Sequence, residues 1–277
     1  MMKLYDQQHI QNFYDQYADL ETQRWEKGEI DKVKLFVHRH YLEKYIESND
    51  TILELGAGTG VFTQQLAQYS NQVTVTDLSP IQLKINQERA KKLGYHQQVK
   101  AFKIVDICDL SEFRDNSFDK IVCYGGPLSY VFNQKHIALQ EMYRVLKPNG
   151  LLFLGVMNLW GTLHEYMHKI VMVISPEENE KVISTGNLHP SSFAPSEHHC
   201  HMFTADELKN DIDSVGFQLE VLSASNALSA LRSNEELKAL QENEANWSYF
   251  LDLELRASRS SGMVESGTHM IAVARKL

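Results

Sequence analysis

The stretch Thr51-Ile-Leu-Glu-Leu-Gly-Ala-Gly-Thr-Gly60 places an apolar run directly before three glycines at alternate positions, and a helical pattern begins at Val61. The apolar run over 52–55 predicts a buried parallel strand. A strand, a glycine turn and a helix in that order predict the first βα unit of a dinucleotide-type fold. Glycine suits the turn because a Cβ atom would block the close approach of the backbone to a ligand.

The spacing within this turn distinguishes between ligands. A dinucleotide fingerprint is G-x-G-x-x-G, with a pyrophosphate at the helix N-terminus. Here Gly60 comes one residue earlier than the third glycine of that pattern, and Glu54 stands two residues before Gly56. A buried anion at Glu54 would repel a pyrophosphate and favour a ligand with a cationic amino group. We expect the carboxylate of such a ligand to bind the free N–H groups of the turn.

The segment from Glu54 to Gly60 resembles motif I of the class I S-adenosylmethionine (SAM)-dependent methyltransferases. The resemblance implies that SAM, which carries both an amino group and a carboxylate, contacts this turn. The residues that it assigns to the cofactor here are Glu54, Gly56, Ala57, Gly58 and Gly60. An NAD-dependent reductase is an alternative that the glycine spacing disfavours.

The second predicted strand, Val73-Thr-Val-Thr-Asp77, ends in a carboxylate about twenty residues after the glycine turn, where such folds place the acid that binds the ribose hydroxyls. Ser79 fits the N-cap of the next helix, and Pro80 fits its first position. The sequence Asp-Leu-Ser-Pro resembles the next motif of the same family. The resemblance therefore implies cofactor contacts from Asp77, Leu78 and Ser79.

Two further predicted strands lead into residues that the resemblance assigns to the cofactor. The third strand is followed by Asp106 and Ile107, which correspond to the family's contacts with the adenine amino group and the adenine ring. The fourth strand, over 120–124, ends in Tyr124 and is followed by Gly125. At that point the resemblance implies a close approach of the backbone to the methionine part of SAM.

The run Arg144-Val-Leu-Lys-Pro-Asn-Gly150 resembles the R-V-L-K-P-G-G motif that precedes the fifth strand of these methyltransferases, and Asn149 tolerates the positive φ of the glycine it replaces. The resemblance implies an α/β fold: a Rossmann-like, seven-stranded, mostly parallel sheet with an antiparallel last strand, helices on both faces and an α-helical cap. It also implies a single domain over 1–277, divided into an N-terminal helical lid (1–48), a SAM-binding core (49–156), a cap insertion (157–203) and the C-terminal part of the sheet (204–277).

Two tyrosines lie in segments that the resemblance brings near the cofactor. Phe13-Tyr-Asp-Gln-Tyr-Ala18 resembles the Y-D-x-x-A helix of small-molecule methyltransferases, from which an aromatic side chain closes over the cofactor, and Tyr17 is the candidate. Packing of Tyr17 with its hydroxyl at the surface is the alternative. Gly125-Gly-Pro-Leu-Ser-Tyr130 resembles G-P-L-Y-H-L in one branch of the family, so Tyr130 stands in place of a histidine base.

The predicted cap contains six histidines: His164, His168, His189, His198, His199 and His201. Three of them surround Cys200, but no second Cys/His cluster at finger spacing accompanies them, and methyl transfer from SAM needs no metal, so we expect none. His201 occupies an aromatic position of the family before Thr204-Ala-Asp-Glu-Leu208 and is predicted to contact the acceptor. Thr204 and Glu207 predict a capping box at the start of a helix.

Composition favours a soluble globular protein. The net charge of −9 argues against a dedicated nucleic-acid binder, and the longest apolar runs are too short to span a bilayer. Three unpatterned cysteines and a polar N-terminal segment predict a cytoplasmic protein. We expect a monomer or a homodimer that binds no membrane.

These observations predict a SAM-dependent methyltransferase that transfers a methyl group to an N, O or C nucleophile of a small molecule by in-line SN2 displacement. The protein chiefly has to align the reactants, and a base is needed only for a protonated nucleophile. The candidate bases are Tyr17, Tyr130, His199 and His201. A tRNA-nucleoside methyltransferase and a non-catalytic SAM-binding regulator or partner subunit are the alternatives.

Overall fold

The computed structural model describes residues 4–25, 28–189 and 198–277. Its strands are β1 (Ile52–Glu54), β2 (Val73–Asp77), β3 (Val99–Ile104), β4 (Phe118–Cys123), β5 (Leu146–Met157), β6 (Asn187–Leu188), β7 (Cys200–His201), β8 (Phe217–Ala224) and β9 (His269–Lys276). Its α-helices are α1 (Gln7–Arg24), α2 (Glu29–Tyr45), α3 (Val61–Tyr69), α4 (Pro80–Leu93), α5 (Pro127–Tyr130), α6 (Lys135–Val145), α7 (Leu159–Val173), α8 (Pro176–Thr185), α9 (Ala205–Ser214), α10 (Asn234–Gln241) and α11 (Glu244–Ser258).

Seven strands form one sheet in the order β3-β2-β1-β4-β5-β9-β8. The strands β1 to β5 pair in parallel, and β9 runs antiparallel to both of its neighbours, β5 and β8. The predicted seven-stranded, mostly parallel sheet with an antiparallel last strand is therefore confirmed. The short strands β6 and β7 pair with each other outside this sheet.

The hydrophobic core lies on both faces of the sheet because apolar side chains continue along each central strand. In β5, Leu152 and Leu154 belong to one buried cluster, whereas Leu151 and Phe153 belong to the other. The first cluster includes apolar residues of α6 and α9, and the second includes residues of α2, α3 and α4. Successive side chains of a strand point to opposite faces, so an unbroken apolar run is buried only when helices cover both.

Two elements differ from their predicted extent. The strand β5 begins at Leu146 and not after the Pro-Asn-Gly turn, because its register against β4 shifts and the turn residues are accommodated within the ladder. Asn149 adopts the predicted positive φ, 63°. The mostly apolar face of residues 234–257 predicts one helix, but the structure has two, α10 and α11, since the Asn243 side chain accepts a hydrogen bond from the Asn246 N–H and starts α11.

The α-helical cap follows β5. It consists of α7, α8 and the β6–β7 pair, and α8 starts with a capping box between Ser175 and Glu178. Residues 190–197 of the predicted cap insertion lie outside the described residues. In the ranges that are described, no helix combines the length and the apolar character needed to cross a bilayer.

Candidate active site

A cavity, here called the first cavity, lies where the parallel strands β1 to β4 end. Strands that run in one direction end at one edge of the sheet, and the loops that follow them converge there. Nine of the predicted cofactor residues line this cavity: Gly56, Ala57, Gly58, Asp77, Leu78, Asp106, Ile107, Tyr124 and Gly125. Glu54, Gly60, Ser79 and Tyr17 are not among its lining residues.

The glycines give this cavity its open shape. Gly56 has a φ of 64°, and a Cβ atom there would lie 2.3 Å from Cγ of Pro127. Gly125 has a φ of 84°, and no atom lies within 4 Å of the position that a Cβ would take. Because Gly125 lines the cavity, a side chain there would project into open space that a ligand could fill. The residues present therefore fit a ligand held closely against the backbone.

Asp77 is held in place at the end of β2 by two backbone donors. Its Oδ2 accepts a hydrogen bond from the Gly58 N–H at 2.7 Å, and its Oδ1 accepts one from the Ser79 N–H at 2.8 Å. Charge-assisted bonds of this kind fix the orientation of a carboxylate. Asp77 is thus a pre-positioned acceptor that links the glycine turn to the start of α4.

Three N–H groups of the glycine turn have partners within the protein. Ala57 N–H donates to the carbonyl of Thr76 at 2.9 Å, and Gly60 N–H donates to the carbonyl of Ala57 at 3.2 Å. The Gly58 N–H is taken by Asp77. These three donors stabilise the turn itself, because a buried backbone donor without a partner is unfavourable.

Glu54 is buried behind the turn and faces away from the first cavity. Its Oε2 accepts a hydrogen bond from the Thr63 hydroxyl at 2.6 Å. Burial raises the pKa of Glu54 to about 8, with a smaller contribution in the same direction from Asp77. Burial therefore favours the neutral form of this carboxyl group in the structure, whereas the sequence led us to expect a buried anion.

The variant Glu54→Gln is expected to be more stable than the wild type at alkaline pH. Because the pKa of Glu54 is raised in the folded state, the neutral carboxyl stabilises the fold fully below about pH 4.5, and this contribution is lost as the pH rises through about 8. The amide is neutral throughout and retains an acceptor for Thr63. Urea unfolding at pH 6 and pH 9 should show a gain for the variant on the order of a few kcal/mol at the higher pH.

The control for this experiment is Glu88→Gln, an exposed carboxylate on α4. Its pH dependence of unfolding should match that of the wild type. A Glu54→Gln variant whose stability follows the wild type across this pH range would contradict the burial argument.

Asp106 also lines the first cavity, and the N-terminal segment already contacts it. Its Oδ1 accepts from the Cys108 N–H at 2.8 Å, and its Oδ2 accepts from the Tyr5 hydroxyl at 2.7 Å. Burial, together with the bond to Asp106, raises the pKa of Tyr5 above its usual value, so Tyr5 acts as a donor here. Tyr5 thus contacts the carboxylate that the resemblance assigns to the adenine amino group.

A second cavity of about 610 Å³ lies between the N-terminal helices, the cap and the sheet edge. It is lined by Phe13, Tyr14, Tyr17, Trp25, Asp31, Lys34, His38, Tyr130, Met157, Thr162, Leu163, Glu165, Tyr166, Ile170, Ile174, Asn179, Val182, Leu188, His198, Met202, Ser225, Thr268 and His269. Aromatic and aliphatic side chains predominate, as in sites for drug-sized molecules. Three residues, Tyr14, Trp25 and Tyr130, line both cavities.

Tyr130 meets a histidine of the cap, but not one of the two predicted candidates. Its hydroxyl lies 3.2 Å from Nε2 of His198, and both residues line the second cavity. His199 instead stacks on His9 with ring centroids 4.1 Å apart, and it is absent from the lining of both cavities. His199 thus lies apart from both cavities, whereas His198 lines the second one.

His201 is a structural residue and not a contact of the cavities. Its Nδ1 lies 2.8 Å from Oδ1 of Asn187, and its Nε2 lies 2.8 Å from Oε1 of Glu207. Glu207 also pairs with Lys135; burial opposes ionisation, but the hydrogen bonds from His201 and Lys135 lower the pKa of Glu207 to about 2. Both ring nitrogens of His201 therefore have protein partners, and His201 lines neither cavity.

The same contacts alter the capping box predicted at the start of α9. The Thr204 hydroxyl accepts from the Glu207 N–H at 3.2 Å, as expected. The carboxylate of Glu207, however, binds His201 and Lys135 and does not return to the Thr204 N–H. Only the Thr204 half of the box is formed.

The helix α1 contributes Tyr14, not Tyr17, to the first cavity. Tyr17 lines only the second cavity and stacks on Phe13 with centroids 5.6 Å apart. Tyr14 is the first residue of the Y-D-x-x-A match, and its main chain accepts a hydrogen bond from the Gln82 side chain at 3.1 Å. The first tyrosine of this match, and not the second, therefore lines the first cavity.

Further contacts hold α1 against the cofactor-side loops. The Ser79 hydroxyl donates to the Asp15 carboxylate, while the same oxygen caps α4 by accepting from the Gln82 N–H at 3.1 Å. Ser79 thus positions the N-terminal helix and does not line the first cavity. The position of His269 at the start of the last predicted strand favours a structural role; in the structure it begins β9 and also lines the second cavity.

No group of three His, Cys, Asp or Glu side chains is arranged to hold a metal ion within the part of the chain that the structure describes. A protein that binds a nucleoside cofactor at the edge of a Rossmann-like sheet typically has this sheet order and a glycine turn after β1. It also typically has acids where β2 and β3 end, as Asp77 and Asp106 are here.

Comparison with known proteins shows which proteins the central part of the chain resembles. Residues 52–150 match the family model described as a methyltransferase domain. A ubiquinone/menaquinone biosynthesis C-methyltransferase of Pseudoalteromonas translucida is 30% identical over 147 residues, which cover 50% of this chain and 56% of that relative. The chain spans about half the length of the first curated relatives that it matches.

Solved structures share the fold over most of the chain. A SAM-dependent methyltransferase from Thermotoga maritima superposes with a TM-score of 0.58 at 17% identity, covering 97% of this chain and 100% of that one. The [4+2]-cyclase SpnF superposes with a TM-score of 0.54 at 20% identity, covering 86% and 79%. At these identities the structural matches establish the fold alone. The family-model match over residues 52–150 and the shared fold agree with the resemblance to the class I SAM-dependent methyltransferases.

Proposed function

We propose that this protein transfers the methyl group of SAM to a small-molecule acceptor held in the second cavity. The observation that carries the proposal is that the two cavities share Tyr14, Trp25 and Tyr130. A cofactor in the first cavity and an acceptor in the second would therefore be neighbours across these three side chains. In-line displacement needs such an arrangement, because alignment of the two reactants is the main contribution of the protein.

The residues of the first cavity have distinct roles toward the cofactor in this proposal. Asp77 accepts from the ribose hydroxyls, Asp106 accepts from the adenine amino group, and Ile107 offers its main chain to the ring. Gly56 and Gly125 allow the backbone to approach the ligand closely. When bound, SAM supplies an already activated methyl electrophile. The helix α1 and the cap exclude water from the space where the acceptor lies.

The contact between Tyr130 and His198 is the proposed route for a proton. An acceptor that is a hydroxyl or an ammonium at neutral pH must lose a proton before or during methyl transfer. Tyr130 lines both cavities and its hydroxyl lies 3.2 Å from Nε2 of His198. In the proposal the acceptor proton passes to His198, directly or through the Tyr130 hydroxyl.

The alternatives predict different measurements. A tRNA-nucleoside methyltransferase is disfavoured by the net charge of −9, and failure to bind RNA at low salt would remove it. The fold by itself does not determine the reaction, because a protein described as a [4+2]-cyclase shares it. A non-catalytic SAM-binding protein is therefore compatible with the fold.

The free thiols of Cys108, Cys123 and Cys200 support a reducing compartment such as the cytoplasm.

The first experiment is calorimetric titration with SAM and S-adenosylhomocysteine (SAH), followed by a screen for SAH release with candidate acceptors. We expect micromolar binding of both ligands, which corresponds to roughly −8 kcal/mol. Release of SAH that depends on an added acceptor would establish methyl transfer. Binding without release on any acceptor would favour the non-catalytic alternative, and absence of binding would contradict the proposal.

A further inference from the structure

The second cavity contains one lysine within an otherwise largely aromatic and aliphatic lining. Lys34 lies on α2, is half-buried, and lines the cavity near Thr268. Thr268 directly precedes β9, whose first residue, His269, pairs with Met157 at the end of β5. The antiparallel direction of β9 therefore brings its N-terminal end to the same sheet edge as the ends of the parallel strands.

Lys34 has no ion-pair partner among the described residues. Its ammonium group donates one long hydrogen bond, 3.4 Å, to the hydroxyl of Thr268. No described carboxylate lies within 4.0 Å of it, whereas Lys32 on the same helix pairs with Glu29 at 2.9 Å. An ammonium group removed from water without a carboxylate partner is unfavourable, and an anion that enters the cavity would relieve this.

The other charged groups of the cavity do not neutralise this lysine. Asp31, one turn before Lys34 on α2, has interactions of its own, and Glu165 on α7 is exposed. The Nδ1 atom of His38, one turn after Lys34, lies 2.7 Å from the carbonyl oxygen of Lys34. Among the described residues that line this cavity, Lys34 is thus the lysine whose charge a ligand can engage.

We infer that the acceptor is an apolar molecule with a flat, aromatic-sized body that carries an anionic group, such as a carboxylate or sulfonate, and that Lys34 binds this group. The inference rests on the proposed function, in which the second cavity holds the acceptor. The rings of Phe13, Tyr17 and Tyr166 offer flat surfaces for the body. Lys34 and Thr268 supply donors for the anion.

The inference is tested with two fluorescent probes that share an aromatic body and differ in charge. One is 1-anilinonaphthalene-8-sulfonate, which is anionic, and the other is N-phenyl-1-naphthylamine, which lacks the sulfonate. Both are titrated into the full-length protein with and without saturating SAH. A third probe, 1-naphthylmethylamine, is cationic and tests whether Asp31 and Glu165 dominate the cavity instead.

Three variants locate the charge preference. Lys34→Met removes the charge at similar volume, Lys34→Arg keeps it, and Lys44→Met removes one exposed charge from the same helix as a matched control. We expect the sulfonate probe to bind the wild type at least about tenfold more tightly than the neutral probe. Lys34→Met should abolish this preference without changing the affinity for the neutral probe, and the other two variants should retain it.

The outcomes separate this inference from the proposed function. Each of four results would overturn the inference. The sulfonate probe and the neutral probe bind the wild type equally, or Lys34→Met leaves the sulfonate affinity unchanged. Alternatively, Lys44→Met weakens sulfonate binding as much as Lys34→Met does, or the cationic probe binds more tightly than the sulfonate probe. SAH titration of the same samples reports on the proposed function separately. If SAH does not bind but the charge preference is present, the cavity selects anions and the proposed function is wrong. If SAH binds but the charge preference is absent, the proposed function stands and the acceptor belongs to another class.

Discussion

The variant Asp77→Asn should weaken the binding of SAH by about a hundredfold, roughly 3 kcal/mol, because the amide keeps only one acceptor oxygen, so that one hydrogen bond to the diol would be lost and the other would lose its charge assistance. In the wild type, the carboxylate accepts hydrogen bonds from the Gly58 N–H and the Ser79 N–H. The substitution also turns an amide N–H₂ group toward one of these two donors. The carboxylate orders the turn, and in the proposed function it also accepts from the ligand. No other described residue at the end of β2 offers two acceptors to the first cavity.

Calorimetry with SAH measures this effect, and thermal unfolding with and without SAH shows whether the variant is folded. Asp109→Asn is the matched control, since Asp109 is an exposed loop carboxylate that accepts from the Ser111 N–H at 3.1 Å. The control should bind SAH as the wild type does. A folded Asp77→Asn variant with wild-type affinity would show that the cofactor is held elsewhere.

The sequence predicts the cofactor side of the site well because that side is encoded locally. A glycine or an acid directly after a parallel strand lies at the ligand edge of the sheet, whatever the rest of the chain does. Asp77, Asp106 and Gly125 follow strands whose bounds were predicted to within two residues, and all three line the first cavity. The seven-stranded order follows from the same motif sequence.

The acceptor side is predicted poorly because it depends on the rotation of helices and on long-range pairing. Tyr14 and Tyr17 lie less than one helical turn apart, and sequence pattern does not decide which of them faces the first cavity. The partners of His201, Asn187 and Glu207, come from two different elements, so no local pattern identifies it as structural.

Glu54 shows a third kind of limit. Its position in motif I is a matter of spacing, but its direction depends on Thr63 in the following helix, whose hydroxyl draws the carboxyl away from the first cavity. Its protonation then follows from burial. A charge inferred from residue type alone is unreliable where the side chain is completely enclosed.

The adjacent histidines of the cap permit a direct test of the proton route. We expect His198→Gln to lower kcat for SAH release by about a hundredfold, the typical contribution of a general base, with little change in the affinity for SAH. His199→Gln should change kcat by less than about twofold, because His199 stacks on His9 and lies outside both cavities. The two variants make the same chemical change at neighbouring positions, so the difference between them reports on location.

Tyr130→Phe distinguishes a relay from simple packing. If the proton passes through the Tyr130 hydroxyl to His198, the single variants and the double variant should have similar kcat values, because residues that act as a unit are not additive. If Tyr130 only packs against the reactants, Tyr130→Phe should retain most of kcat. A wild-type kcat in His198→Gln would contradict the proposed base, and the reaction would then need an acceptor that carries no proton at its nucleophilic atom.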